Sequence, residues 1–219
     1  MLKHLHIIIL FLSILLIPNN VAPSTQKITQ WVNQPLSKGI FLVATPELRG
    51  PYFQKSVVLL AEHSHKGALG VIINRPSKVE LSDILPEQKW LDLKSGRLFV
   101  GGPVSRFLPF ILLRTNKKLK SAQRIVQDVY YTFNIKEIGK MFFKQKSDER
   151  VRVYAGYASW IAGQLESEIA RGSWKIIKAD QYTIFDKDPE NIWKDLTEGE
   201  TQLFVINKPR PTLLSNSNS

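Results

Sequence analysis

Three apolar runs stand between Gly39 and Pro76, and this stretch constrains the fold more than any other part of the chain. The runs cover Gly39–Ala44, Ser56–Ala61 and Ala68–Ile73, and they are rich in Val, Ile, Leu and Phe. Proline, glycine, histidine and serine separate them, which is the pattern of buried strands joined by turns. The sequence therefore predicts that these three strands form the core of a sheet.

The remaining periodic segments predict short helices and further strands around that core. Ser77 and Pro86 delimit a predicted helix, Asn134 opens another, and Asp188-Pro189 reads as a cap with proline at the first helical position. The predicted helices are Val79–Leu85, one starting at Asn134, one ending at Gly172, and one from Pro189 through Leu196. The predicted strands are Arg97–Val100, Phe110–Arg114, Gln127–Phe133, Val151–Ala155, Trp174–Ile177 and Tyr182–Phe185.

The N-terminal segment differs from the rest of the chain. Residues 1–22 carry Lys3 ahead of the apolar run Ile7–Ile17, which is signal-peptide anatomy and is short for a membrane span. We expect residues 23–38 to be a linker, residues 39–208 a single domain, and residues 209–219 a disordered tail. A working signal would make the protein exported or membrane-anchored, so the segment predicts export or membrane association.

Charge and cysteine content narrow the classes of function. The chain has no cysteine, which excludes disulfides, thiolate metal ligands and cysteine nucleophiles. Its net charge is +11, and fourteen Lys and Arg stand against four Asp and Glu between Lys94 and Arg152. This excess is either a solvated surface or an anion-binding surface. The hypothesis of weak, non-specific polyanion binding rests on one set of lysines: Lys117, Lys118, Lys120, Lys136, Lys140 and Lys144.

Glu62-His63-Ser64-His65 and Asn74-Arg75-Pro76 are the two short motifs with polar chemistry. Two imidazoles and a carboxylate could hold a metal, but this His-x-His on a turn has no partner motif elsewhere in the sequence, so we predict no metal and no cofactor. Arg75 directly follows a buried strand, where its guanidinium can reach a structural partner or a ligand carboxylate or phosphate.

Hydrolase and nucleic-acid motifs do not account for this chain. Ser159 lies between a predicted strand and a helix, but Tyr157 and Ile161 replace the glycines that a nucleophile elbow requires. No helix-turn-helix, ribonucleoprotein or zinc-finger motif is present. Three tryptophans could stack on bases, although their positions favour core packing. They are Trp160, Trp174 and Trp193.

Three segments together resemble the YqgE/AlgH family. The first contains Pro46-x-Leu48-x-x-Pro51-x-Phe53-x-x-Ser56-Val57, followed by Glu62-His63 and by Gly67-Ala68-x-Gly70-x-x-Ile73-Asn74-Arg75-Pro76. The second is Phe99-Val-Gly-Gly-Pro-Val104. The third is Gly156-Tyr-Ala-Ser-Trp-Ile-Ala-Gly-Gln-Leu-Glu166, where Ser159, Ile161 and Ala162 depart from the family's usual Gly-Tyr-Ala-Gly-Trp-Gly-Pro-Gly-Gln-Leu-Glu.

The resemblance implies an α+β domain whose mainly antiparallel, bifurcated sheet curls into a pseudo-barrel with flanking helices. It implies a cytoplasmic location and no established enzymatic activity. Members are sometimes labelled transcriptional regulators, but no residue of this chain supports sequence-specific reading of DNA.

Two classes of function stay open from the sequence. The first is a non-enzymatic binding or regulatory module, and the alternative is an enzyme with a site near Glu62, His63, Arg75 and the Tyr157–Gln164 loop. Gathering of these residues in one concave pocket would favour the enzyme, and dispersal would favour the module. The candidate binding residues are Glu62, His63, Asn74, Arg75, Tyr157, Gln164, Lys117, Lys118 and Lys120.

Overall fold

A computed structural model describes residues 35–87, 96–135, 138 and 149–206 of the 219. The signal-like segment, most of the predicted linker and the tail lie outside the described residues, as do the helical lysines Lys136, Lys140 and Lys144. Within the described ranges, no helix has the length and apolarity needed to span a membrane.

The described residues form ten strands and four helices. The strands are β1 (Ile40–Ala44), β2 (Val57–Ser64), β3 (Gly67–Ile72), β4 (Pro76–Glu80), β5 (Arg97–Val100), β6 (Val104–Arg114), β7 (Gln123–Val126), β8 (Val129–Thr132), β9 (Arg150–Ile161) and β10 (Trp174–Lys178). The helices are α1 (Leu81–Ile84), α2 (Gln164–Ala170), α3 (Gln181–Phe185) and α4 (Pro189–Ile206). The three predicted core strands are confirmed as β1, β2 and β3, which pair in that order.

The sheet branches at β9. Its strand order is β10-β1-β2-β3-β9-β6-β8-β7, and its pairings are antiparallel apart from that of β5 with β9. One edge of β9 pairs with β6, while the other edge pairs first with β5 and then with β3. The twelve residues of β9 therefore carry two separate branches of the sheet. This architecture confirms the α+β fold with a mainly antiparallel, bifurcated sheet.

The sheet curls without closing, and its concave face holds the main core. Phe41, Leu59, Phe110, Leu112 and Tyr154 lie in this core together with side chains from α3 and α4. Two smaller clusters cover the outer face, one under α2 and one under α1. Apolar residues on both sides explain why β1 and much of β2 read as continuous apolar runs.

Glycines are required where the two branches meet. Gly156 has φ of +70°, and a Cβ at this position would lie 2.5 Å from the carbonyl oxygen of Val104. A Cβ on Gly101 would lie 2.3 Å from the carbonyl oxygen of Gly156. The glycines of two of the sequence motifs thus serve the close approach of backbone to backbone at the branch.

Several predicted elements were wrong in type or extent. Tyr182–Phe185, predicted as a strand, lies in α3, because the Asp180 carboxylate accepts a hydrogen bond from the Thr183 N–H at 2.8 Å and caps a helix there. The predicted Tyr157–Gln164 loop is strand as far as Ile161. The predicted strand Gln127–Phe133 starts inside a hairpin turn, where Asp128 has φ of +60°.

The predicted helix Val79–Leu85 is also shorter than expected. Ser77 lies in β4 and does not cap it, and the helix covers only Leu81–Ile84. Pro76 and Glu80 lie opposite Phe99 and Arg97 of β5, so the segment up to Glu80 belongs to strand β4. By contrast, the helix starting at Pro189 is longer than predicted and extends to Ile206.

Candidate functional site

An open cleft of about 640 Å³ lies where β2 ends and β3 begins, facing the β7–β8 hairpin. Its apolar lining comes from Ala61, Ala68, Leu69 and Trp160. Ala68 pairs with Trp160, which places the cleft beside the C-terminal end of β9. Since β2 continues to Ser64, two of the predicted site residues, Glu62 and His63, reach this cleft.

Glu62 and Tyr131 form a hydrogen bond across the cleft. The Tyr131 hydroxyl donates to Oε1 of Glu62, and Tyr131 is only 3% exposed. Burial raises the pKa of Tyr131, and the bond to Glu62 raises it further, so the phenol stays protonated. Strands β2 and β8 are not neighbours in the sheet. The bond therefore links two distant parts of the curled sheet.

His63 and Glu166 form a second pair at the rim. Nε2 of His63 lies 2.8 Å from Oε1 of Glu166, which joins the end of β2 to α2. The hydrogen bond from His63 lowers the pKa of Glu166. Because Glu166 is half exposed, this pair contributes little to stability.

Three cationic side chains line the cleft: Lys38, Lys66 and Arg124. The Lys38 ammonium donates to the carbonyl of Arg124 at 3.1 Å, which connects the chain before β1 with β7. Glu62 is the carboxylate among the lining residues, and it is already bonded to Tyr131. The cleft therefore presents net positive charge to solvent.

Asn74 and Arg75 lie at the opposite end of β3 from the cleft. The side-chain oxygen of Asn74 accepts from the Val57 N–H at 2.8 Å, and its amide donates to the Lys55 carbonyl at 3.0 Å. Arg75 donates to the Gln54 carbonyl at 3.0 Å, and burial lowers the pKa of Arg75. Both side chains bind backbone atoms at the start of β2, so they hold the β1–β2 loop against β3.

Tyr157 and Gln164 have separate surroundings. Tyr157 lies opposite Val104 in the sheet and packs edge-to-face on Phe133, with ring centroids 5.8 Å apart. Gln164 begins α2, where its side-chain oxygen accepts from the Ile161 N–H at 3.2 Å and its amide donates to Glu168 at 3.0 Å. Gln164 thus joins the end of β9 to the helix.

Glu168 is a residue that the sequence analysis missed. Its Oε2 accepts hydrogen bonds from the indole N–H of Trp160 at 2.9 Å and of Trp174 at 2.8 Å. The Trp193 indole donates to the Ala44 carbonyl at 2.7 Å. The three tryptophans are therefore packed and hydrogen-bonded inside the domain, as the core interpretation predicted. The spacing of Gln164 and Glu168, four residues apart on a helix, was the available signal.

The lysines of the basic loop before β7 have different surroundings. The Lys117 ammonium lies 2.8 Å from Oε1 of Glu149, whose side chain is 6% exposed, and the Thr115 hydroxyl donates to the same oxygen at 3.0 Å. Lys118 and Lys120 are exposed on either side of the buried Leu119. Lys117 therefore has a structural partner.

Comparison with known proteins identifies the family. A model of the AlgH-like family matches residues 41–201. The chain belongs to the AlgH-like family. This confirms the resemblance that the three sequence motifs carried.

Relatives and solved structures agree with this assignment. A UPF0301 protein of Streptomyces avermitilis is 34% identical over 163 residues, covering 72% of this chain and 83% of that protein. A UPF0301 protein of Shewanella frigidimarina is 34% identical over 168 residues, covering 74% and 89%. The crystal structure of a Corynebacterium diphtheriae protein is 25% identical with a TM-score of 0.66, covering 82% of this chain and 90% of its own. The solution structure of AlgH from Pseudomonas aeruginosa is 24% identical with a TM-score of 0.61, covering 80% and 96%, and shows the shared fold.

In this AlgH-like chain the predicted site residues do not gather in one place. Glu62 and His63 share the cleft, whereas Asn74 and Arg75 lie at the other end of β3. Across the described part of the chain, no group of three His, Asp or Glu side chains is arranged to hold a metal ion.

Proposed function

We propose that this AlgH-like protein is a non-enzymatic binding module that takes a polyanionic partner into the cleft at the end of β2. The observation that carries the proposal is the set of three cationic side chains on the cleft walls, Lys38, Lys66 and Arg124. Cationic grooves that follow a phosphate or sulfate backbone bind by electrostatic attraction and counterion release.

The spread of the predicted site residues supports a binding role over a catalytic one. A general base or nucleophile acts together with other groups within hydrogen-bond reach of one substrate. Glu62 and His63 lie at the cleft, bonded to Tyr131 and to Glu166. Arg75, the third residue of the enzyme hypothesis, bonds the Gln54 carbonyl far from this pair.

The basic loop before β7 extends the positive surface. Lys120 immediately precedes Ser121, whose carbonyl accepts from the Thr132 hydroxyl at 3.2 Å. Thr132 follows Tyr131, so Lys120 lies close in space to a residue of the cleft. A long, flexible anion can therefore contact the cleft cations and the loop together.

Retention on immobilised heparin tests the proposal. The triple variant Lys38→Glu, Lys66→Glu, Arg124→Glu should lose retention at low salt. Neutralising three phosphate contacts makes affinity for a DNA duplex fall about 40-fold between 50 and 200 mM salt, and two duplexes of unrelated sequence should bind the wild type equally.

The matched control carries the same change in charge outside the cleft. Arg49, Lys78 and Arg106 are exposed and lie outside the cleft. Their reversal to Glu should leave most of the retention. Equal elution of the cleft variant and the wild type, with both folded by circular dichroism, would reject the proposal. Lys117 is left unchanged, since its reversal would place a second carboxylate beside the buried Glu149.

A further inference from the structure

Arginine side chains converge at the N-terminal end of β9. Residues two apart on a strand share a face, so Arg150 and Arg152 point to the same side as the core residue Tyr154. On the parallel neighbour β5, Phe99 lies opposite Tyr154, which puts Arg97 level with Arg152 on that same side. These three arginines line a cavity of about 370 Å³ that Phe99 and the start of α4 complete. We call it the arginine pocket.

The carboxylates near the arginine pocket are largely engaged elsewhere. Asp186 binds Arg114, with one N–O distance of 3.1 Å in a two-point contact. Asp188 lines the pocket, but its oxygens accept from the Glu190 N–H at 3.2 Å and the Asn191 side chain at 2.7 Å. Glu190 is the other lining carboxylate, and it is exposed.

Arg152 is held in place with one donor group left over. Its guanidinium lies 4.8 Å from the ring centre of Phe99, and its Nη2 donates to the Phe185 carbonyl at 3.3 Å. Its Nη1 is buried and has no acceptor in hydrogen-bond geometry among the described residues, although the guanidinium lies close enough to the Tyr154 hydroxyl to offset part of the rise in the Tyr154 pKa that burial causes. Buried donors, charged ones above all, are rarely left without a partner.

Arg97 approaches the pocket from the other wall. It is exposed, and within the described chain no hydrogen bond or ion pair occupies its side chain. A guanidinium of this kind can form two parallel hydrogen bonds to one phosphate or carboxylate group. Arg97 and Arg152 therefore lie on two strands that border one open pocket.

We propose that the arginine pocket binds a small phosphate monoester. Its volume lies at the lower end of the range of small-ligand sites, which suits a single phosphorylated metabolite. Three guanidinium groups and two carboxylates line the pocket, and a monoester with close to two negative charges at neutral pH would bind on the side of Arg97 and Arg152. The ligand phosphate would bind the exposed Arg97 directly, and a rotation of the Arg152 side chain would bring its buried Nη1 to the same phosphate.

This site is separate from the cleft of the proposed function. The cleft lies at the C-terminal end of β9 and the arginine pocket at the N-terminal end. The two proposals therefore fail independently. The cleft variant with three reversed charges should keep phosphate binding, and the pocket variants should keep heparin retention.

Calorimetric titration of the full chain tests the inference. The probes are inorganic phosphate, glucose 6-phosphate and adenosine monophosphate, each against sodium chloride at equal ionic strength. Wild type should bind at least one phosphate probe and should show a raised melting temperature in its presence. Arg97→Gln should weaken that binding about ten- to a hundredfold, because a charge-assisted hydrogen bond is lost.

Arg106→Gln is the matched control, since it removes an exposed arginine outside the pocket and should bind as the wild type does. Arg152→Lys retains a charge without the planar fork and should also weaken binding. The inference is overturned if no phosphate probe binds the wild type at 10 mM. It is overturned equally if Arg97→Gln and Arg106→Gln, both folded, bind the probes alike.

Discussion

The buried polar groups at the two ends of β9 differ in whether they have hydrogen-bond partners. At the C-terminal end the polar side chains bind one another, with Glu168 accepting from Trp160 and Trp174. At the N-terminal end guanidinium groups crowd one cavity, and a buried nitrogen of Arg152 has no acceptor among the described residues. Buried side chains that bond to one another stabilise the domain, whereas cations that face the open arginine pocket or the cleft can bind an anion from solvent.

Loss of Glu168 should give the largest effect. Glu168→Ala leaves two buried indole N–H groups without acceptors and should lower the free energy of unfolding by about 3 kcal/mol. Glu168→Gln keeps one oxygen acceptor and should cost about half as much. Urea denaturation measures both. A loss no greater than that of the exposed neighbour variant Glu166→Ala would break the contrast between the two ends.

Removal of the Tyr131 hydroxyl should have an intermediate effect. Tyr131→Phe leaves the Glu62 carboxylate without its donor, but Glu62 is exposed and water replaces the lost bond. We expect a loss of about 1 kcal/mol by thermal or urea denaturation. Retention on heparin should stay unchanged, because the net charge of the cleft is the same. A large drop in retention would instead give Tyr131 a direct role in binding.

Removal of Arg97 should raise stability slightly when no phosphate is present. Arg97→Gln relieves repulsion with the other arginines of the pocket, by up to about 0.5 kcal/mol at low salt. The gain should vanish at 1 M salt, where the Debye length is about 3 Å. A clear loss of stability at low salt would show that Arg97 serves the architecture, as Glu168 does.

The pH dependence of the His63–Glu166 pair should be the smallest effect. The hydrogen bond from His63 lowers the pKa of Glu166 in the folded state, so the native state binds fewer protons there than the unfolded state. The contribution is therefore present above the ordinary glutamate pKa of 4.5 and is lost as the pH falls below it. At neutral pH the free energy of unfolding of the wild type should exceed that of Glu166→Gln by under about 0.5 kcal/mol. Thermal denaturation at acidic pH should show no difference between the two proteins.

Sequence patterns predicted those elements whose conformation depends mainly on nearby residues. The strands β1 to β3 were predictable because long apolar runs between turns leave few alternatives. The run Tyr182–Phe185 has strand-like residues, yet the cap from Asp180 and the burial of Ile184 and Phe185 make it helical. The strand propensity of these residues is therefore outweighed by the helix cap and by tertiary packing.

Sites that depend on distant residues were harder to predict. Glu62 and His63 share the cleft because they are adjacent, but the bond to Tyr131 joins positions 69 residues apart. The arginine pocket combines β5 and β9, and its signal was the alternation of Arg150, Arg152 and Tyr154 on one face. That alternation predicts three side chains on one face of the strand. It does not predict that Arg97 of β5 lines the same pocket.

The central position of β9 in the sheet also constrains how the protein is made. Strand β3 ends at Ile72, and its partner β9 begins only at Arg150, so roughly 80 residues must follow before that edge is covered. One edge of strand β1 stays uncovered for longer, because its partner β10 ends only at Lys178. At about 5–20 residues per second, a ribosome leaves these apolar edges exposed for several seconds. Nascent chains of this protein should therefore engage chaperones until the last strands emerge.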